Sequence, residues 1–436
     1  MHYWLVLSET NPSTAPLVAW FNGGPGCSSL DGFFYEHGPF VISSSNYSQL
    51  DSREYRWNKI VNMLYIEAPV GVGFSFSDTD NYKIDDDSAA NDNRAAIEAF
   101  YTMFPQFKTN KFFITGESYG GIYVPTLAEA IVNGQLDGSY TGATLTGIGV
   151  GNGCTGTEIG ICGSGPQGTY YEWTYLLGQG FISSDLKKQI NSECDWVNAE
   201  KNVKGALSLK CADLLSQASA QIENVDLYNI YGDCVSDMCS ARAGEQPRGK
   251  IPNRPDIVIS EGGETRRLAR ITPYGPEACI DSGAATGYLN QPEVMKAIHV
   301  KDPGFCWAVC NTAKGWSYSS TRTNLPKNTY PLLLKNIDVV IFNGDWDACV
   351  PYTDNEAWTE NMGFPVKSAW HKWSYTSLEG NDNQVAGYAV GYDISALPSE
   401  HTFEFVTVKG GRHEVPESAP AQGLELITRI VNSQSF

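Results

Sequence analysis

A serine bracketed by glycines, Gly116-Glu117-Ser118-Tyr119-Gly120, separates the apolar run Phe112-Phe113-Ile114 from a segment of helical apolar period. Strand, then GxSxG, then helix, makes a nucleophile elbow: small neighbours permit a strained turn that lifts the serine above a sheet. The following helix aims its N-terminal amides at developing negative charge. With 43 glycines in the chain, the pattern alone could be a glycine-rich turn with a capping serine. The strand and helix around it carry the weight.

A serine hydroxyl needs a base, and the base needs an orienting acid. The chain has six histidines. His2 lies in a strand-like stretch, His37 near a turn, His299 in helical "EVMKAIHV", and His371 and His401 in polar surroundings. His413, in "VTVKGGRHEVP", directly follows an alternating apolar strand and glycines. Asp345 and Asp347, in "IDVVIFNGDWDACVP", also follow a core-like strand. Serine, aspartate, histidine is the chain order of an α/β-hydrolase. An oxyanion would need preorganised amides. "WFNGGPGCSSLDG" follows another such strand, and Gly23-Gly24 let backbone approach a substrate closely. The amide of Tyr119 supplies a second donor.

Those loops must be held by regular elements. Short apolar, β-branched runs precede turn-rich loops at 16–21, 62–69, 111–116, 145–153, 337–345 and 403–411. Helix-like segments intervene, notably 86–104, with Asp and Ser near its start as capping candidates. Pro125 predicts a kinked or shortened helix after Ser118. The alternation predicts an α/β fold, a mostly parallel central sheet with helices on both faces. Residues 155–285 break the rhythm, with a helical-looking part at 170–225 and the tract "ARAGEQPRGKIPNRP". Only "DIVIS" there resembles a core strand. This stretch reads as an inserted cap subdomain on a core formed by 1–154 and 286–436.

The 436 residues carry a net charge of −19. That argues against a nucleic-acid partner, serves solubility, and also suits an acidic compartment. No apolar run approaches the roughly 18–20 residues needed to span a bilayer. "MHYWLVLSET" reads as a strand inside a fold rather than as a signal peptide, which leaves room for a missing native N-terminus. Eleven cysteines are spread along the chain without a CxxC. "CVSDMC" with "CWAVC" could furnish four thiolates to zinc. Disulfides account for the whole set better, because local pairs such as Cys154/Cys162 and Cys194/Cys211 also occur, and the odd total leaves one thiol over. With the glycosylation acceptor Asn46-Tyr47-Ser48, the cysteines favour the secretory pathway.

Taken together, "NGGPGCSSL", "GESYGG", "GDWDACVP" and "HEVP" resemble the serine carboxypeptidases, the acidic-compartment exopeptidase branch of the α/β-hydrolases. "RWN", "EAPVGVGFSFS", "GIGVGNG" and "GYLNQPEVMKAIHV" support the likeness, which runs from residue 3 to about 425 and fades across 155–270. The resemblance implies an α/β-hydrolase fold and a serine-type carboxypeptidase that works through an acyl-enzyme. It makes Ser118 the nucleophile, His413 the general base and Asp347 the triad acid, leaving Asp345 as a turn residue. Gly24 and Tyr119 would donate the oxyanion amides. Asn22, Glu36 and Glu117 would bind the substrate's C-terminal carboxylate. Two carboxyl groups can do so only while they hold protons, since a carboxylate donates no hydrogen bond. Crowding them against a substrate anion should raise their apparent pKa and make them titrate together, so activity should favour acid.

By the same resemblance the substrates are peptide or protein C-termini. No cofactor, metal, nucleic acid or membrane is called for, and a homodimer is compatible. The setting would be a lysosome or vacuole, or outside the cell. Implied bridges are Cys27–Cys310, Cys234–Cys279, Cys194–Cys211, Cys154–Cys162 and Cys239–Cys306, with Cys349 as the odd thiol. The family usually has glycine before the histidine, where this chain has Arg412. If the position needs positive φ, arginine costs about 1 kcal/mol or more, and its charge should depress the pKa of His413. Glu414 is a candidate for the leaving-residue pocket, favouring Lys or Arg there. Rival readings are an acyltransferase or lyase of the same family, which Asn22 and Glu117 disfavour, and a non-enzymatic scaffold, which the complete triad disfavours.

Overall fold

Nine strands form one twisted sheet in a computed structural model that describes residues 1–43, 49–234, 257–261, 264–268, 282–300, 306–310, 315–377, 380–397 and 399–436. In chain order they are β1 (Tyr3–Val6), β2 (Leu17–Phe21), β3 (Asn62–Ile66), β4 (Phe112–Glu117), β5 (Leu145–Gly151), β6 (Asp338–Gly344), β7 (Val366–Tyr375), β8 (Gln384–Tyr392) and β9 (Phe403–Val408). Across the sheet they run β1-β3-β2-β4-β5-β6-β9-β8-β7. The six central strands are mutually parallel. Antiparallel strands close both edges, β1 on β3 at one side and the β7–β8 hairpin against β9 at the other.

The six apolar runs of the sequence are these six parallel strands. Every residue of β2, β3, β4 and β9 is buried. A strand covered on both faces needs an unbroken apolar run rather than alternation. Two cores fill the faces, one beneath helices α1 (Asp86–Met103) and α2 (Gly120–Asp137), the other beneath the helix Pro420–Asn432. The α1 start is a capping box in which Asp85 accepts from the Ser88 amide and Ser88 answers the Asp85 backbone.

Pro125 does not shorten the helix after Ser118, as its presence had predicted. α2 runs 18 residues through it. The proline removes one amide near the N-terminus, and the Thr126 hydroxyl donates to the carbonyl of Ile122 at 2.7 Å. Burial of Ile122, Val124, Leu127 and Ile131 holds the rest. "DIVIS" is not a core strand either. Ile257–Glu261 pairs with Glu264–Leu268 in a separate two-stranded ribbon.

Between β5 and β6 lie helices Pro166–Gly178, Ser184–Glu193, Trp196–Glu200 and Leu209–Ser219, packed on an apolar cluster of their own. Three disulfides are formed among the described residues: Cys27–Cys310, Cys154–Cys162 and Cys194–Cys211. The first joins residues 283 positions apart and removes one thiolate from the zinc reading. Cys349 keeps its thiol and is buried. Cys234 and Cys306 are disulfide-bonded as well, but Cys279 and Cys239, the partners implied for them, and the acceptor Asn46 lie outside the described residues. Among the described residues, no helix is long and apolar enough to cross a membrane.

Candidate active site

The site lies at the C-terminal ends of the parallel strands, where their loops converge. Ser118 sits between β4 and α2 with φ at 60°, a left-handed conformation costing a side-chain-bearing residue about 1–2 kcal/mol. Its backbone is pinned from three sides. The amide donates to Gly151 at 3.0 Å, and the carbonyl accepts from Gly121 at 2.9 Å and Cys154 at 3.0 Å. Gly116 before the serine and Gly121 after it are steric necessities. A Cβ on Gly116 would lie 2.3 Å from the Phe21 carbonyl, and one on Gly121 would lie 2.4 Å from that of Cys154.

The 22–32 loop rests against this elbow. A Cβ on Gly23 would meet the Tyr119 amide nitrogen at 2.5 Å and the Ser118 Cβ at 2.7 Å. Only glycine permits that approach, and the next residue, Gly24, has φ 111°.

Asp347 and His413 come from the loops after β6 and β9. His413 Nδ1 lies 2.7 Å from Asp347 Oδ2, and both side chains are buried. The carboxylate takes further donors: Asn152 Nδ2 at 2.7 Å and the Val350 amide at 3.1 Å on Oδ2, and the Cys349 amide at 2.7 Å on Oδ1. So filled, Asp347 acts as an acceptor, which places the proton on Nδ1 and the lone pair on Nε2. Asp345 ties the two loops together, its Oδ1 accepting from the Gly410 amide at 2.7 Å.

A segment inserted between β5 and β6 touches both loops. The Tyr228 carbonyl accepts the His413 amide at 2.8 Å, and the Tyr228 ring meets the imidazole edge-on at 4.5 Å. One residue earlier, the Leu227 carbonyl accepts the amides of Ala348 and Cys349 at 2.9 Å each.

Beside Ser118 is a buried acid group. Asn22 Nδ2 donates to Glu117 Oε1 at 2.9 Å and Glu36 Oε1 at 3.0 Å. Its Oδ1 is held by Trp20 Nε1 at 2.7 Å and the Gly32 amide at 3.1 Å. Asp31 is the third member; oxygens of Asp31, Glu36 and Glu117 lie within 4.8 Å of one another. Burial first, then the neighbouring carboxyls, holds Glu36 and Glu117 well above the usual carboxylate range. Asp31 is raised likewise, by burial and then by Glu414 and Glu417. While it holds its protons, such an acid cluster donates hydrogen bonds. The other three-ligand grouping, Asp347 with Cys349 and His413, has its carboxylate already occupied by donors.

Arg412 does not carry the expected strain. Among the residues before His413, the left-handed position is Gly410 (φ 74°). The guanidinium is spent on Glu414 at 2.8 Å and Glu417 at 2.9 Å. Burial works most strongly against ionisation of Glu414, but Arg412, His413 and a backbone hydrogen bond together outweigh it and hold the carboxyl below its ordinary range. The charge of Glu414 is thus partnered within the fold.

Asp31, Asn152 and Tyr228 were not singled out from sequence. An acid nine positions beyond Asn22 and a lone polar residue ending a core strand were the signals for the first two. Tyr228 had none.

An elbow serine on a mostly parallel sheet, with acid and histidine loops following later strands, defines an α/β-hydrolase. Comparison narrows the class. The sequence profile of the family described as "Serine carboxypeptidase" matches residues 1–433. The chain is 34% identical to "Serine carboxypeptidase-like 21" of Arabidopsis thaliana, spanning 100% of this chain and 88% of that one. Against the "Lysosomal protective protein" of Mus musculus it is 31% identical, with the same coverage of 100% and 88%. In fold it superposes on KEX1(DELTA)P, a prohormone-processing carboxypeptidase from Saccharomyces cerevisiae. The TM-score is 0.71 at 21% identity, covering 99% of this chain and 86% of that one. The chain belongs to the serine carboxypeptidase family and is a hydrolase.

Proposed function

We propose that the protein removes C-terminal residues from peptides in an acidic compartment of the secretory pathway, through an acyl-enzyme on Ser118. The observation that carries this reading is the Asn22 amide bonded to both Glu36 and Glu117, buried directly beside the elbow. A free C-terminal carboxylate placed there meets the Asn22 amide and protonated acids. An extended chain or an amidated end offers one neutral carbonyl acceptor and an N–H donor in place of two carboxylate oxygens. The three disulfides support an oxidising compartment.

In the proposed reaction Ser118 Oγ attacks the carbonyl carbon of the last peptide bond while His413 Nε2 takes its proton. Asp347 steadies the imidazolium through Nδ1. The amides of Gly24 and Tyr119 receive the oxyanion. His413 then protonates the leaving amine, the C–N bond breaks, and the terminal amino acid departs. Water, deprotonated by the same imidazole, releases the acyl group.

The test compares N-blocked dipeptides with their C-terminal amides and with N-blocked amino-acid esters, from pH 4 to pH 8. Free-acid dipeptides should be cleaved best in acid, amides poorly, and esters well at neutral pH. Equal cleavage of acids and amides would remove the exopeptidase reading.

A further inference from the structure

Asp86, the first residue of α1, is buried to 1% exposure and belongs to neither the triad nor the acid cluster. A carboxylate that deep is costly unless donors surround it. Five do. Oδ1 accepts the hydroxyls of Tyr119 at 2.7 Å and Tyr318 at 2.8 Å. Oδ2 accepts the amides of Thr321 at 2.6 Å and Arg322 at 2.7 Å, and the Thr321 hydroxyl at 3.3 Å.

Both halves of the candidate oxyanion site rest on these donors. Tyr119 follows the nucleophile, and its hydroxyl also lies 2.6 Å from Ser320 Oγ. The Tyr318 ring packs edge-on against Tyr119 at 5.5 Å and Tyr123 at 6.0 Å. Tyr123 Oη in turn accepts the amide of Gly26 at 3.2 Å, two residues beyond Gly24. Ser317–Ser319 pairs in parallel with Lys83–Asp85, fixing Tyr318 to the start of the same helix.

We propose that Asp86 is a positioning residue for the oxyanion donors. Its carboxylate locks the Tyr119 side chain directly, and through Tyr318 and Tyr123 it fixes the loop that carries Gly24. This rests on Gly24 and Tyr119 being those donors. A small misplacement of such donors lowers the rate of bond formation without weakening substrate binding.

The test measures kcat and KM on an N-blocked ester, and the rate of labelling by a fluorophosphonate probe, for wild type, Asp86→Asn, Tyr119→Phe and Tyr318→Phe. Asp86→Asn should lower kcat and the labelling rate together, by roughly tenfold to a hundredfold, with KM nearly unchanged. The Phe variants should each lose less, and Asp86→Asn with Tyr119→Phe should be no slower than Asp86→Asn alone, because both remove one linkage. A folded Asp86→Asn protein with wild-type rates, or with a change in KM alone, overturns the proposal. Should Asp86→Asn not fold, the two Phe variants decide: lower kcat at constant KM supports the role, and wild-type kcat in both overturns it. A wild-type chain that the probe does not label overturns the serine-hydrolase reading as well, whereas a labelled wild type matched by its variants overturns this inference alone.

Discussion

Asn152 donates its side-chain amide to Oδ2 of Asp347 at 2.7 Å, on the same oxygen that meets His413 Nδ1 at 2.7 Å. The asparagine is itself fixed, since its Oδ1 accepts the Gly344 amide at 3.0 Å and its backbone amide donates to the Phe342 carbonyl at 2.8 Å. It therefore sets the direction of the carboxylate that sets the imidazole. Asn152→Ala should lower kcat about tenfold to a hundredfold, the worth of one hydrogen bond to a buried charge, with KM little changed. Steady-state kinetics on an ester checks it.

The acid cluster predicts opposite pH shifts for two kinds of variant. Glu36→Gln and Glu117→Gln keep an uncharged donor at neutral pH, so peptide hydrolysis should persist to higher pH while ester hydrolysis is spared. Asp31→Asn removes a neighbouring charge that raises Glu36. Glu36 then ionises sooner, and peptidase activity should fall off at lower pH than in wild type. Rate profiles on a matched peptide and ester decide both.

The same raised carboxyls predict a stability effect. A group whose folded pKa lies above its unfolded value stabilises the fold below the unfolded pKa and loses that contribution as pH rises through the folded one. At pH 7, Glu117→Gln should therefore raise stability. At pH 4 it should change little. Calorimetry at the two pH values would show the difference.

Arg412 predicts the reverse. Glu414 is held low by the guanidinium, so the pair stabilises above the unfolded carboxyl pKa and loses its effect as pH falls through the folded one. Arg412→Ala strands two glutamates, one of them buried, and should cost about 3 kcal/mol at pH 7 and clearly less at pH 4. Chemical denaturation at both pH values measures it.

Tyr228 gives a split prediction. Tyr228→Phe keeps the ring edge against His413 and should retain most of kcat. Tyr228→Ala removes that wall and should lower kcat about tenfold, the imidazole gaining freedom it lacks now. Comparable kcat values for the two variants would show that the ring does not steady the base.

The central sheet and the loops that carry Ser118, Asp347 and His413 were legible because parallel strands are continuous apolar runs and each of these residues follows one. The β7–β8 hairpin was not picked out. Val366 and Trp370 stay exposed there while Trp373 is buried, and irregular register blurs the alternation. Asp31 and Asn152 were missed for another reason. Asn152 gains meaning only from Asp347, 195 positions away, and Asp31 only from acids and an amide folded around it. Arg412 was read as strained because its neighbours' dihedrals cannot be seen in a string of letters. The turn is made by Gly410 instead.

The contacts from Leu227 and Tyr228 to the loops of Asp347 and His413 are made largely by peptide carbonyls, which every amino acid possesses. Those backbone bonds hold the Asp347 and His413 loops whatever side chains stand at 227 and 228. The hold of residues 227 and 228 on these loops is thus carried by the main chain.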